Sequence, residues 1–212
     1  MRIAILEHAA EKTPMTFTDV LRVRFKGILD PIAAFLNRIG LYPNTVTVLG
    51  LLGNTIGAYF LATGNITLGG IFVLVMGPVD ALDGTMARLR GESSRFGAFV
   101  DSVTDRYSEL VILGGLLLYF ISQQNMLACA LVYLAAAGSV LVSYVKARAD
   151  GLNFPVKIGV LTRVERYLVL APCLVFNQPM IALWIIAILA NFTAVQRIWY
   201  VRRVARSGNG YQ

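Results

Sequence analysis

Three long stretches of this chain, 39–79, 110–145 and 167–196, contain no Asp, Glu, Lys or Arg. A helix crossing a membrane takes about 20 consecutive apolar residues. Each stretch is too long for one such helix, and each is broken near its middle by polar or turn-forming residues. The breaks read ATGNIT at 62–67, SQQN at 122–125 and NQP at 177–179. Each stretch therefore predicts a helical hairpin, and together they predict six spans, near 44–62, 67–90, 94–121, 125–149, 159–177 and 179–203. The expected fold class is all-α, a polytopic membrane protein with six transmembrane helices.

Composition agrees. Of 212 residues, 57% are hydrophobic and 15% charged, where soluble domains carry about 25% charged residues. A net charge of +7 would suggest nucleic acid in a soluble protein. Here Lys and Arg flanking membrane helices on the cytoplasmic side account for it, and no nucleic-acid partner is expected. The hairpin tips carry no charge, so the opposite side and both termini are expected in the cytoplasm, with the protein in the plasma membrane. Residues 1–15 lack the long apolar core of a cleavable signal. Cys129 and Cys173 lie in apolar runs and read as packing residues. The single histidine, His8, excludes a His-rich metal site.

Before the first span, residues 16–43 mix Phe, Leu, Val and Ile with Arg22, Arg24, Lys26 and Arg38. That pattern predicts an amphipathic helix on the cytoplasmic membrane surface. The expected organisation is a cytoplasmic N-terminus with this helix over 1–40, a six-helix catalytic domain over 41–206, and a tail over 207–212. The second and third charge-free stretches are short for two crossings. Charged helix ends must then enter the inner leaflet, which a polar cavity open to the cytoplasm accommodates.

The charged residues nearest the lipid are the most informative, because charge in a bilayer usually marks function. Asp80, Asp83, Gly84, Ala87 and Arg88 recur at one helical spacing, as do Gly97, Asp101 and Asp105. Folding the hairpin about residue 92 sets Asp83 level with Asp101 and Asp80 level with Asp105. Gly84 and Gly97 allow close approach of backbone or ligand. Four crowded carboxylates in low dielectric require protonation or divalent cations. An oxygen-only ligand set suits Mg²⁺ or Mn²⁺, and a pair of such ions can clamp a phosphate during displacement. The bland alternative is a set of salt bridges to Arg88, Arg95 and Arg106.

The eight residues Asp80-x2-Asp83-Gly84-x2-Ala87-Arg88-x8-Gly97-x3-Asp101-x3-Asp105 resemble, without departure, the signature of the CDP-alcohol phosphotransferase family. The resemblance extends to the six-span layout and to Pro43-Asn44-Thr45-Val46-Thr47 at the start of the first span. It implies a homodimeric membrane enzyme that moves a phosphatidyl-type group from a CDP-linked lipid such as CDP-diacylglycerol to an alcohol, releasing CMP. It implies that Asp80, Asp83, Asp101 and Asp105 hold two Mg²⁺ or Mn²⁺, with Asp105 the general base. Gly84 and Arg88 match positions that contact the CDP portion, and Ser94 falls near its phosphates. Gly97 belongs to the same CDP-lipid site. The resemblance places Asn44 and Thr47 at the border of the cytidine pocket, while Asn44 by itself also suits a helix N-cap. Pro78 predicts a kink in the second span.

A basic cluster in the C-terminal half comprises Lys146, Arg148, Arg163, Arg166, Arg202, Arg203 and Arg206. Arg148, Lys157, Arg202 and Arg203 read as ordinary flanking charge. Lys146 and Arg166 are continuous with apolar runs, and converging cations mark an anionic ligand. The acceptor alcohol is therefore expected to carry a phosphate. Lys146, Arg166 and Arg206 resemble the branch of the family that uses inositol phosphate. That branch often reads ERxER where this chain has Thr162-Arg163-Val164-Glu165-Arg166, and glycerol 3-phosphate is the alternative acceptor. A divalent-cation transporter could also bury carboxylates, but the almost wholly apolar outer halves of the spans offer no outward path. A non-catalytic scaffold would not require the acidic signature.

Overall fold

The computed structural model describes residues 17–91, 94–156 and 158–207, with side chains from residue 24 onward. Among the described residues it is all-helical: α1 Phe17–Arg38, α2 Pro43–Ala62, α3 Ile66–Arg90, α4 Arg95–Ser122, α5 Met126–Asp150, α6 Arg163–Val175 and α7 Pro179–Arg206. His8, the side chain of Arg22, Lys157, residues 92 and 93 of the hairpin turn and most of the tail lie outside this description.

The polar breaks are the hairpin tips. Each contains one residue in the left-handed region, Gly64 at φ 88°, Gln124 at φ 53° and Asn177 at φ 56°, which ends one helix and reverses the chain. Asn125 accepts from the Ala128 N–H at 3.0 Å and so caps α5. On the opposite side α3 ends at Gly91, φ 67°. Ser94 caps α4 by accepting from the Gly97 N–H at 2.9 Å. Asn44 does not cap α2. Pro43 takes the first helical position after Tyr42 and moves the cap away from Asn44.

Four helices, α2, α3, α5 and α7, are long and apolar enough to cross a membrane. Helix α4 is 28 residues long but carries Asp101, Asp105, Arg106 and Glu109. Helix α6 is shorter than the predicted span. Its 13 residues extend about 20 Å at 1.5 Å per residue, against a hydrocarbon core of about 30 Å. The delay has a tertiary cause. The Ile158 carbonyl accepts from Arg197 Nε at 2.9 Å. The Leu161 N–H donates to Thr193 Oγ1 at 3.1 Å. Side chains of α7 thus satisfy backbone groups that a helix would otherwise use, and Gly159 at φ 155° carries the chain past them.

Helix α2 packs on α3 and α4, α5 on α7, and α6 bridges the two groups through α3 and α7. The main apolar core draws on all of them except α1 and includes Leu61, Val73, Leu116, Val132, Leu174 and Ile186. Helix α1 joins α3 through a smaller cluster of Ala33, Val46, Leu82 and Met86, while Phe25, Ile28, Ile32, Phe35 and Ile39 remain exposed. Cys129 and Cys173 are unbridged and pack against the core.

Candidate active site

Helices α2 and α3 run antiparallel, and residues three apart on each meet in register. Thr47 Oγ1 donates to Asp83 Oδ2 at 2.5 Å, and the Gly84 N–H donates to Asp83 Oδ1 at 2.5 Å. Asp83 is 5% exposed, so these bonds hold a buried carboxylate in one orientation. One turn along, Gly50 lies against Asp80. A Cβ at Gly50 would overlap Asp80 Oδ1, so the missing side chain is what admits that carboxylate.

Asp83 and Asp101 line one cavity of about 420 Å³, together with Tyr42, Pro43, Asn44, Thr47, Gly84, Ala87, Arg88, Ser94, Gly97 and Ala98. All six residues assigned to the CDP-lipid from the sequence stand on this one wall. The cavity lies between the start of α2, the end of α3 and the start of α4. Arg88 also donates to Thr85 Oγ1 at 2.8 Å, which draws its stem along α3.

Asp80 and Asp105 meet at a cation. Arg163 Nη2, from the first turn of α6, stands 2.9 Å from Asp80 Oδ2 and 2.5 Å from Asp105 Oδ1. The two acids that match in depth across the hairpin thus share one guanidinium. Arg106 approaches Asp105 at 3.8 Å and donates to the Ser102 carbonyl. In the sequence Arg163 stands in the C-terminal basic cluster and not with the acids, because it reaches the aspartates only through the packing of α6 on α3.

Among the described residues, no three His, Cys, Asp or Glu side chains form a group that could hold an ion. The donor chemistry nevertheless suits a hard divalent cation. The acids offer carboxylate oxygens as ligands, and Asp80 and Asp105 already accept a positive group between them.

The three residues assigned to the acceptor phosphate have different surroundings. Arg166 is 2% exposed. It forms a two-pronged pair with Glu109, Nε to Oε1 at 2.6 Å and Nη2 to Oε2 at 2.9 Å, and also donates to the Leu161 carbonyl. Lys146 is exposed near the end of α5. Arg206 lines a separate cavity of about 320 Å³ with Trp199, Arg202 and Arg203. Sequence reasoning missed Arg197, which is 4% exposed and donates to the Val142 carbonyl at 2.7 Å. Its signal was present: it is the residue that ends the last charge-free stretch, two turns before the end of α7.

Comparison with known proteins decides the family. A family model described as CDP-alcohol phosphatidyltransferase matches residues 40–198. The chain belongs to the CDP-alcohol phosphatidyltransferase family. Among relatives in this family, a phosphatidylinositol phosphate synthase of Streptomyces avermitilis is 38% identical over 198 residues, covering 86% of this chain and 81% of that one. An archaetidylinositol phosphate synthase of Pyrococcus horikoshii is 32% identical over 189 residues, covering 89% and 98%. The crystal structure of Mycobacterium tuberculosis phosphatidylinositol phosphate synthase with CDP-DAG bound superposes with a TM-score of 0.77 at 30% identity, covering 82% of this chain and 94% of that one. The same enzyme in complex with manganese and citrate also gives a TM-score of 0.77, at 30% identity, over 82% and 89%. As a member of this family the chain is a membrane transferase of phospholipid synthesis.

Proposed function

We propose that this protein transfers a phosphatidyl group from CDP-diacylglycerol to a hydroxyl of inositol 1-phosphate and releases CMP. The observation that carries the reading is the single cavity where Asn44, Thr47, Gly84, Arg88, Ser94 and Gly97 converge with Asp83 and Asp101. The names of the relatives support inositol phosphate as the acceptor, and the solved relative carries the same class of lipid donor.

In this reading the pyrophosphate end of the donor lies on the wall of the cavity, against Gly84, Gly97 and the Ser94 hydroxyl, with Arg88 supplying positive charge. The acceptor hydroxyl forms a bond to the lipid-bearing phosphorus as the bond from that phosphorus to the CMP oxygen breaks. Its proton passes to Asp105, the general base. Asp80, Asp83, Asp101 and Asp105 would hold two Mg²⁺ or Mn²⁺, which neutralise the pyrophosphate and the departing CMP. Thr47 and the Gly84 N–H fix the orientation of Asp83. The acceptor phosphate enters on the basic side of the centre, where Arg163 and Arg106 flank Asp105. Arg166, engaged by Glu109, anchors α6 there, and Lys146 and Arg206 are candidate further contacts.

We place six spans in the bilayer, with α4 and α6 completing the four apolar helices, and with the cavity and both termini on the cytoplasmic side. The polar residues of α4 then face the cavity and not lipid. The exposed stripe Phe25, Ile28, Ile32 and Phe35 of α1 lies in the membrane surface. The enzyme works as a homodimer.

The test is CMP release by the purified protein in nanodiscs containing CDP-diacylglycerol, with Mg²⁺ or Mn²⁺ and a panel of alcohols. Release that requires inositol 1-phosphate is expected. Release with glycerol 3-phosphate alone would reassign the acceptor. Divalent-cation uptake into proteoliposomes with no CMP release under any condition would overturn the enzymatic reading.

A further inference from the structure

Helix α3 continues through Pro78, which has no N–H to offer the Leu74 carbonyl. At the preceding residue a side chain from another helix joins the same ladder. The Gly77 N–H, whose helical acceptor is the Val73 carbonyl, donates to Tyr167 Oη at 2.8 Å. The Tyr167 hydroxyl donates onward to the Val73 carbonyl. One phenol of α6 thus contacts both ends of one α3 hydrogen bond. Gly77 makes room for it, since a Cβ there would overlap the Tyr167 ring. A side chain set into the i→i−4 ladder beside a proline is a physical cause of a bend.

The site of this insertion lies within one turn of Asp80. Arg163, four residues before Tyr167, lies on the same face of α6 and reaches Asp80 at 2.9 Å. Helix α6 therefore grips α3 at two neighbouring places, by a phenol at Val73 and Gly77 and by a guanidinium at Asp80. The carboxylate direction of Asp80 depends on the course that α3 takes through residues 73–80.

We propose that Tyr167 is a positioning residue for Asp80, fixing the course of α3 at Val73 and Gly77 so that Asp80 turns toward Asp105. The proposal rests on the reading of Asp80 as a metal ligand. Tyr167 does not touch substrate in this account, and it acts through the helix that carries the acid.

The test uses full-length Y167F in nanodiscs. Mn²⁺ affinity is read by electron paramagnetic resonance without lipid substrate, beside thermal unfolding and kinetics at saturating Mn²⁺. The expected result is a Mn²⁺ dissociation constant raised about tenfold or more, as for other residues that orient metal ligands. The kcat should fall, with KM for CDP-diacylglycerol little changed. A variant that loses thermal stability but keeps wild-type Mn²⁺ affinity overturns the proposal. Y167F/P78A returns an N–H to residue 78 and gives the second measurement, usable also if Y167F does not fold. It should regain stability without regaining Mn²⁺ affinity, and recovery of both overturns the proposal. Wild-type protein that binds no Mn²⁺ sinks the metal reading itself, and this proposal with it.

Discussion

Arg163 Nη2 lies 2.5 Å from Asp105 Oδ1, and the same nitrogen reaches Asp80. A side chain from the first turn of α6 thus ties together two acids from the two helices of one hairpin. Two carboxylates facing each other in a poorly hydrated place repel unless a cation stands between them. Replacing Arg163 by Gln should lower the stability of the protein in chelator by about 1 kcal/mol, a modest figure because the arginine is partly exposed. Added Mn²⁺ should restore most of that loss. Thermal unfolding with and without Mn²⁺ checks it, and an equal loss under both conditions would show that the two cations do not share the acids.

Asp105 is the proposed base. Asp105→Asn keeps the shape and removes the proton acceptor, so kcat should fall by about 10²–10⁴-fold, while CDP-diacylglycerol still binds. Single-turnover CMP release and equilibrium binding of the lipid separate the two. Turnover near wild-type would remove Asp105 from the mechanism.

Thr47 donates a short bond to the buried Asp83. A hydrogen bond to a charged group contributes about 1.5–3 kcal/mol. Thr47→Val, similar in volume but without the hydroxyl, should therefore raise the Mn²⁺ dissociation constant by roughly one to two orders of magnitude. Thr47→Ser should recover most of it. If Val keeps the wild-type affinity and Ser loses it, the methyl group and not the hydroxyl is what matters.

Glu109 and Arg166 form a buried pair. Breaking such a pair from one side costs about 3–5 kcal/mol because a charge is left without its partner. Arg166→Met and Glu109→Gln should each destabilise strongly, and the double variant should lose clearly less than the two together. A double-mutant cycle in chemical denaturation measures this coupling. Simple additivity would mean that the pair contributes little and would free Arg166 for a direct part in acceptor binding.

The helical segments, the hairpin tips and the spacing of the acidic residues were legible in the sequence because each is a local property. Freedom from charge over a long window selects a lipid-compatible helix, and Gly64, Gln124 and Asn177 mark where such a helix must reverse. Spacing along one helix is equally local, so Asp80 and Asp83, or Asp101 and Asp105, could be put on common faces directly. The tertiary structure decided which groups from different helices meet. It brought Arg163 to Asp80 and Asp105, engaged Arg166 with Glu109, and set Gly50 against Asp80. It also shortened α6, because Thr193 and Arg197 of α7 took up backbone groups that a longer helix would have paired within itself. A long cationic side chain looks the same in the sequence whether it flanks a membrane or neutralises an acid, and only the packing of α6 between α3 and α7 distinguishes the two.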